Sequence, residues 1–323
     1  MPVRDGLPYL GEALASVLGQ THREFELVAV DDGSTDGSGE LLDAHAAGDP
    51  RVRVLHTSPA GVSAALNVAV EAATGELLAR MDADDISHPE RFERQLAHLR
   101  AHPDDALVAC RAEAHGDHAG SGTLRLHAWQ SSLMRHEQMM ADLFVDAPFP
   151  HDAVMMRRSA LSAAGGYQDH PWPEDFDLWH RMARAGQRFA KVPEVLLAVR
   201  DHPGRVTRTR PEASGAALLR ARVHHLLLGP LSGTRSVVVW GAGKVGKRMV
   251  RALGEADVKV VAIVDLHPRK IGRVIHGASV IAPEELPALS DLPVLAAVGK
   301  PGARADIRRR CGALGLPPPL AVA

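Results

Sequence analysis

Residues 76–81, Glu-Leu-Leu-Ala-Arg-Met, form an apolar run that ends in three carboxylates, Asp82, Asp84 and Asp85. A strand that delivers clustered carboxylates to its C-terminal end can hold a hard cation, because Mg2+ and Mn2+ take oxygen ligands and bridge them to substrate phosphates. Ser87-His88-Pro89-Glu90 reads as a helix start, so an acidic turn capping the next helix is the competing reading. Upstream, Phe25 to Val30 reads as a buried strand that breaks into Asp31-Asp32-Gly33-Ser34-Thr35-Asp36-Gly37. In an open α/β sheet the ligand crevice lies outside the carboxyl ends of the strands, so both acidic loops are expected to line one site.

The elements that must position these loops are legible from periodicity. Leu7, Leu10, Leu14, Val17 and Leu18 recur at helical spacing, and Pro8 suits a first helical turn, which predicts a helix over 7–19. A short strand over 52–55, a small-residue helix over 61–73 and the strand 76–81 follow. A helix from Pro89 carries Phe92, Leu96 and Leu99 on one face and stops at His102-Pro103. This alternation predicts a largely parallel, helix-covered α/β sheet. The stretch 111–130 reads as loop or irregular strand, 134–144 as a helix whose methionines pack, and 211–228 as a helix before a Gly229–Gly233 linker.

At 323 residues the chain can hold two domains with separate cores, and a formal net charge of −2 gives no polyanion-binding signature, so nucleic acid is not an expected partner. The cysteines Cys110 and Cys311 lack the spacing of a zinc or redox motif. Eighteen histidines contain no His-Glu-x-x-His, and His115, His118, His224 and His225 read as solvated surface residues. No apolar run approaches the ~18–20 residues that cross a bilayer, and no signal peptide opens the chain. A cytoplasmic protein is expected, with peripheral membrane contact left open.

The ordered set over residues 1–210 resembles the family 2 glycosyltransferases, nucleotide-sugar enzymes of the GT-A fold. The resemblance is carried by Pro2-Val3-Arg4-Asp5, Leu18-Gly19-Gln20-Thr21, Val30 to Asp36, Gly61 to Asn67, Ala73-Thr74-Gly75-Glu76 and the Asp-x-Asp of Asp82-Ala83-Asp84. It continues through His151 to Arg158, Gly165-Gly166-Tyr167 and Glu174 to Trp179. Family members begin with a buried strand just before the Pro-Val turn, whereas only Met1 precedes Pro2, so an incomplete N-terminus is expected. The resemblance implies a donor site built from Pro2, Asp31, Asp32 and Asn67, with Asp82 at the ribose. It puts Mn2+ or Mg2+ on Asp84, with His202 of the segment Arg200 to Gly204 able to approach the metal or the diphosphate. Asp175 is the expected catalytic base, since an inverting transfer needs a carboxylate to take the acceptor hydroxyl's proton. Helix capping by Glu174 and Asp175 would also account for acids there. A UDP-linked donor and a saccharide or lipid-linked acceptor are the implied partners.

A second, smaller α/β domain is expected over 234–323, after a helix and linker at 211–233. Ser236 to Trp240 reads as a strand, Gly241-Ala242-Gly243-Lys244-Val245-Gly246 opens a helix, and a second strand ends in Asp265. This is a Rossmann-like dinucleotide fingerprint, with the acid expected at a ribose hydroxyl. It is also similar to small Rossmann-like domains beside sugar-modifying enzymes, where Gly241, Gly243 and Gly246 either hold a nucleotide or only allow close helix–strand packing. Three rivals stand beside the transferase reading: a nucleotidyltransferase, for which 2–7 offers only Gly6 and Arg4 as a phosphate loop; an NAD(P)-dependent oxidoreductase using 234–323; and a non-catalytic nucleotide-sugar binder.

Overall fold

The computed structural model describes residues 1–116, 120–300 and 302–323, which leaves His118 outside the described residues. The chain divides into two compact units, residues 1–139 with 147–210, and residues 140–146 with 211–323.

In the first unit, β1 (Pro2–Val3), β2 (Leu27–Asp31) and β3 (Val52–His56) make a parallel sheet in the order β1-β2-β3. All five residues of β2 are buried, which is why it reads as a continuous apolar run rather than an alternating one. Its strands β4 (Leu77–Ala79), β5 (Ile86–Ser87), β6 (Asp105–His115), β7 (Val154–Arg157) and β8 (Arg188–Arg200) form a mixed sheet in the order β4-β7-β6-β8-β5. Only β6 and β8 pair in parallel there.

The expected helices are found as Leu10–Leu18, Val62–Ala72, Arg91–Ala101 and His136–Asp142. The stretch 111–130 is a correction. Among the described residues, β6 runs on to His115, and Ser121–Ser132 is a helix. The polar, Gly- and His-rich composition hid a strand held by its ladder to β8, which reaches His115 opposite Arg200.

In the second unit, β9 (Ser236–Trp240), β10 (Lys259–Val264), β12 (Ala278–Ile281), β13 (Val294–Ala296) and β14 (Leu320–Ala321) are parallel in the order β12-β10-β9-β13-β14, with β11 (Val274–Ile275) antiparallel on the edge. The segment 211–233, expected as a helix and connector, packs with this unit: Val223, Leu226 and Leu231 are part of its core. So do residues 140–146, expected within the first domain, through Phe144 in the same core and Asp142, which pairs with Arg304 at 3.3 Å and Arg308 at 2.5 Å. Both cysteines are buried and free. Among the described residues no helix is long and apolar enough to cross a membrane.

Candidate active site

The chain leaves β4 through Arg80 and Met81 and turns at Asp82-Ala83-Asp84-Asp85 before β5. This turn separates the acids by depth. Asp82 and Asp84 stay half-exposed, whereas Asp85 has no exposed surface. Asp84 Oδ2 lies 2.9 Å from His202 Nε2, so these two expected metal ligands meet. Tyr9 packs on the His202 ring at 4.6 Å, and Arg200 sits over Tyr9 while its Nε donates to the Asp84 carbonyl.

Asp82, Asp85 and Asp152 form a second group, with oxygens within 4.8 Å of one another. Asp152 lies in the segment His151 to Arg158, and no spacing rule links it to 82–85; tertiary structure brings it there. Burial, and then the facing Asp152 carboxylate, push Asp85 well above the ordinary carboxylate range. Burial also opposes charge on Asp152, yet the hydrogen bond from Asp85 and the Arg80, Arg205 and Arg91 guanidiniums outweigh it and hold Asp152 low. Asp82 of this group is paired with Arg80. Asp84 and His202, both partly exposed, could also hold a divalent cation and leave room for retained waters and substrate phosphates.

Asp31, the last residue of β2, and Asp32, just past it, are buried and employed by the fold. Asp31 accepts from Ser34 N at 2.9 Å and meets His56 Nδ1 at 3.1 Å; Asp32 accepts from Ala60 N at 2.7 Å and Gly61 N at 2.9 Å, and Arg4 stands 3.6 Å away. Pro2 lies beside them, paired with Val30. Asn67 clamps the helix Val62–Ala72 to the loop after Gly166: its amide donates to Tyr167 O at 2.7 Å and accepts from Tyr167 N at 3.0 Å.

Glu174 and Asp175 open the helix Glu174–Arg184. Glu174 Oε1 is 3.3 Å from His151 Nδ1, whose Nε2 meets the Tyr167 hydroxyl at 3.0 Å. Burial opposes charge on Glu174, and His151 overrides it, holding the carboxyl below its usual range. Asp175 Oδ1 accepts from Phe176 N at 2.7 Å, and its side chain is half-exposed. Asp177 is buried and bound to Arg181 Nε at 2.7 Å. His151 touches both Glu174 and the Tyr167 hydroxyl, and its neighbour Asp152 lies with Asp82 and Asp85, so the Asp-x-Asp turn and the Glu174-Asp175 helix start converge on one place. Burial, and then Glu174, Asp175 and Asp82, raise the Tyr167 pKa against Arg80, which leaves it a neutral hydrogen-bonding group.

The match to known proteins is specific at this point. Residues 1–165 match the family model for glycosyl transferase family 2. The chain belongs to that family. It is 32% identical over 202 residues to the amylovoran biosynthesis glycosyltransferase AmsE of Erwinia amylovora, covering 62% of this chain and 74% of that one. Among solved structures, TarS 1-349 of S. aureus in complex with UDP-GlcNAc superposes with a TM-score of 0.58 at 15% identity, over 80% of each chain. The mannosyltransferase PcManGT of Pyrobaculum calidifontis, in complex with GDP-Man and Mn2+, gives 0.51 at 20% identity, over 78% of this chain and 66% of that one. These two likenesses concern the fold, which is of GT-A type. Residues 233–315 match a separate family model, C2185-like, N-terminal.

In the second unit, Gly241 and Gly246 are required by close approach. A Cβ on Gly246 would lie 1.7 Å from the Gly241 carbonyl oxygen, and one on Gly241 would lie 2.8 Å from the Ala297 oxygen. A Cβ on Gly243 would meet nothing within 4 Å. Asp265 is engaged locally: Oδ2 accepts from Ala242 N and Lys270 Nζ, both at 2.9 Å, and Oδ1 from His267 N at 2.9 Å.

Proposed function

We propose that this family 2 glycosyltransferase moves a sugar from a nucleoside diphosphate donor, UDP-linked as the first choice, to an acceptor hydroxyl with inversion at the anomeric carbon. The observation that carries this reading is the convergence of the Asp-x-Asp turn and the Glu174-Asp175 helix start through His151, which touches Glu174 and Tyr167, and Asp152, which lies with Asp82 and Asp85. Asp84 and His202 would hold Mn2+ or Mg2+, which as a Lewis acid offsets charge on the departing diphosphate. Asp82, tied to Arg80, is positioned for the ribose, and Pro2, Asp31 and Asp32 shape the nucleoside end by fixing the backbone of 34 and 60–61.

Asp175 takes the acceptor's proton. It is half-exposed at the helix start, beside Glu174, which pairs with His151, and Asp177, which is buried on Arg181. The neighbouring structures, in complex with UDP-GlcNAc in one case and with GDP-Man and Mn2+ in the other, support a nucleotide sugar and a metal as the first ligands to try. A saccharide or lipid-linked acceptor met in the cytoplasm, with peripheral membrane contact for the lipid case, suits the family. Residues 234–323, read as Rossmann-like, would take a nucleotide or NAD(P) at Gly243. The oxidoreductase alternative lacks a free ribose acid, because Asp265 is held by Lys270 and two backbone N–H groups.

The deciding experiment is calorimetry of UDP-, GDP- and dTDP-sugars with and without Mn2+, followed by transfer assays with the donor that binds. Metal-dependent binding of one donor supports the proposal. No binding to any of them, with or without metal, defeats it.

A further inference from the structure

The near-neutral total of the chain conceals a division by unit. Residues 211–323 hold 16 lysines and arginines against 8 aspartates and glutamates, whereas residues 1–210 hold 21 against 31, so the formal −2 divides into +8 and −10. With Asp142 and Asp146 of the segment 140–146 counted, the second unit still carries +6. A unit this basic is drawn to anionic surfaces by its field alone.

Four of these cations share one helix face. In Lys244–Glu255, Met249, Val250 and Leu253 enter the core of the second unit, while Lys244, Lys247, Arg248 and Arg251 are exposed. Positions 244, 247, 248 and 251 follow the i, i+3, i+4, i+7 spacing of a single face, opposite to the buried one. Among the described residues none of the four has a salt-bridge partner, unlike Lys270 on Asp265, Arg304 and Arg308 on Asp142, and Arg309 and Arg310 on Asp306. The stripe works against its own helix. Lys244 with Arg248, and Lys247 with Arg251, are like charges at i, i+4, and the first turn carries a cation and no acid where the helix dipole favours the reverse. An external layer of anions would relieve both costs.

We propose that the Lys244-Lys247-Arg248-Arg251 face docks the second unit on the surface of an anionic phospholipid bilayer, with headgroup phosphates supplying the anions that the fold does not. A lipid surface fits the chemistry better than a nucleic acid. Residues 211–323 contain no Asn or Gln to read base edges, and their one aromatic residue, Trp240, is buried, so no ring is offered for base stacking. Val245 flanks the stripe and is 37% exposed, an aliphatic group suited to the boundary just beneath the headgroups. Docking would bring the chain to the surface where a lipid-linked acceptor resides. It requires no sugar transfer, so its test stands whether or not the transferase reading holds.

The test is co-sedimentation of the 323-residue protein with vesicles of phosphatidylcholine, with and without phosphatidylglycerol. Binding is expected only with phosphatidylglycerol, and it should weaken as salt rises past ~0.1 M, where the screening length is ~10 Å. The double variant Lys247→Gln/Arg248→Gln should lower the partition coefficient about 25-fold, at about 5-fold for each exposed cation. Arg309→Gln/Arg310→Gln removes the same formal charge from residues already paired with Asp306 and should change binding little. All four side chains are exposed, so the melts of both variants by circular dichroism should match the wild type. Equal binding to the two kinds of vesicle would overturn the proposal, as would wild-type binding that is indifferent to salt, a result that needs no variant to fold. Equal losses in the two double variants would overturn it as well, since total charge and not this face would then decide. So would retention of a random-sequence duplex DNA that the Lys247→Gln/Arg248→Gln variant loses while its vesicle binding persists, because the face would then serve nucleic acid.

Discussion

At the scale of single residues, the site separates acids that look alike in the sequence. Asp84 is half-exposed and touches His202, whereas Asp85, its neighbour, is fully buried beside Asp152, and burial and that carboxylate raise its pKa. Asp84→Ala is expected to remove the Mn2+-dependent part of donor binding and leave Tm near wild type, because it empties no core. Calorimetry of UDP with and without Mn2+ checks this; equal, metal-independent affinity in both proteins would refute the ligand role. Asp175→Asn keeps an acceptor for Phe176 N but removes the base, so transfer should fall about 10²–10⁴-fold with donor affinity retained. Near-normal turnover in that variant would move the base elsewhere.

At the scale of elements, small contacts hold the loops in register. His56 at the end of β3 joins Asp43 of the helix Ser38–Gly48 to Asp31 at the end of β2. Asp43 first, and then Asp31, raise the His56 pKa. A histidine raised in the folded state contributes stability that is complete below its unfolded pKa of about 6.5 and is lost as pH climbs through the raised value. The Tm gap between wild type and His56→Gln should therefore be wider at pH 5.5 than at pH 8.5; a constant gap would show that these pairs contribute nothing. In the second unit, the fold requires Gly246 and tolerates a side chain at Gly243. Gly246→Ala should unfold or strongly destabilise that unit, and Gly243→Ala should keep its Tm while weakening any phosphate-bearing ligand that approaches the backbone there. Unchanged nucleotide affinity in Gly243→Ala would leave that loop a packing device.

At the scale of the whole chain, the second unit is larger than its motif suggests. Its core includes Val223 and Leu226 from the helix Gly215–Leu228, so the cooperative piece begins near Pro211 and not at residue 234. A protein of residues 211–323 should melt cooperatively by circular dichroism, and one of residues 234–323 should melt lower or not fold, because the apolar surface that helix covers would be exposed. Identical melts would return the boundary to the Gly229–Gly233 turn.

The amino-acid sequence alone determined what local chemistry can specify. Buried parallel strands wrote themselves as the continuous apolar runs at 27–30 and 237–239, and the acidic turns that end strands near 31 and 82 were visible as carboxylates following such runs. The Gly-rich opening of the helix Lys244–Glu255 was equally legible, since only glycine permits that approach. Tertiary structure decided the rest. Whether Asp31, Asp32 and Asn67 face a ligand or the fold depends on partners 25 to 100 positions away in the chain. Asp152 entered the acidic cluster, and residues 140–146 joined the second unit, through packing of distant segments, which no local pattern records. The strand continuing to His115 was likewise held by its long ladder to β8 against a composition that reads as loop, because pairing energy in a sheet belongs to the partner strand as much as to the residues themselves.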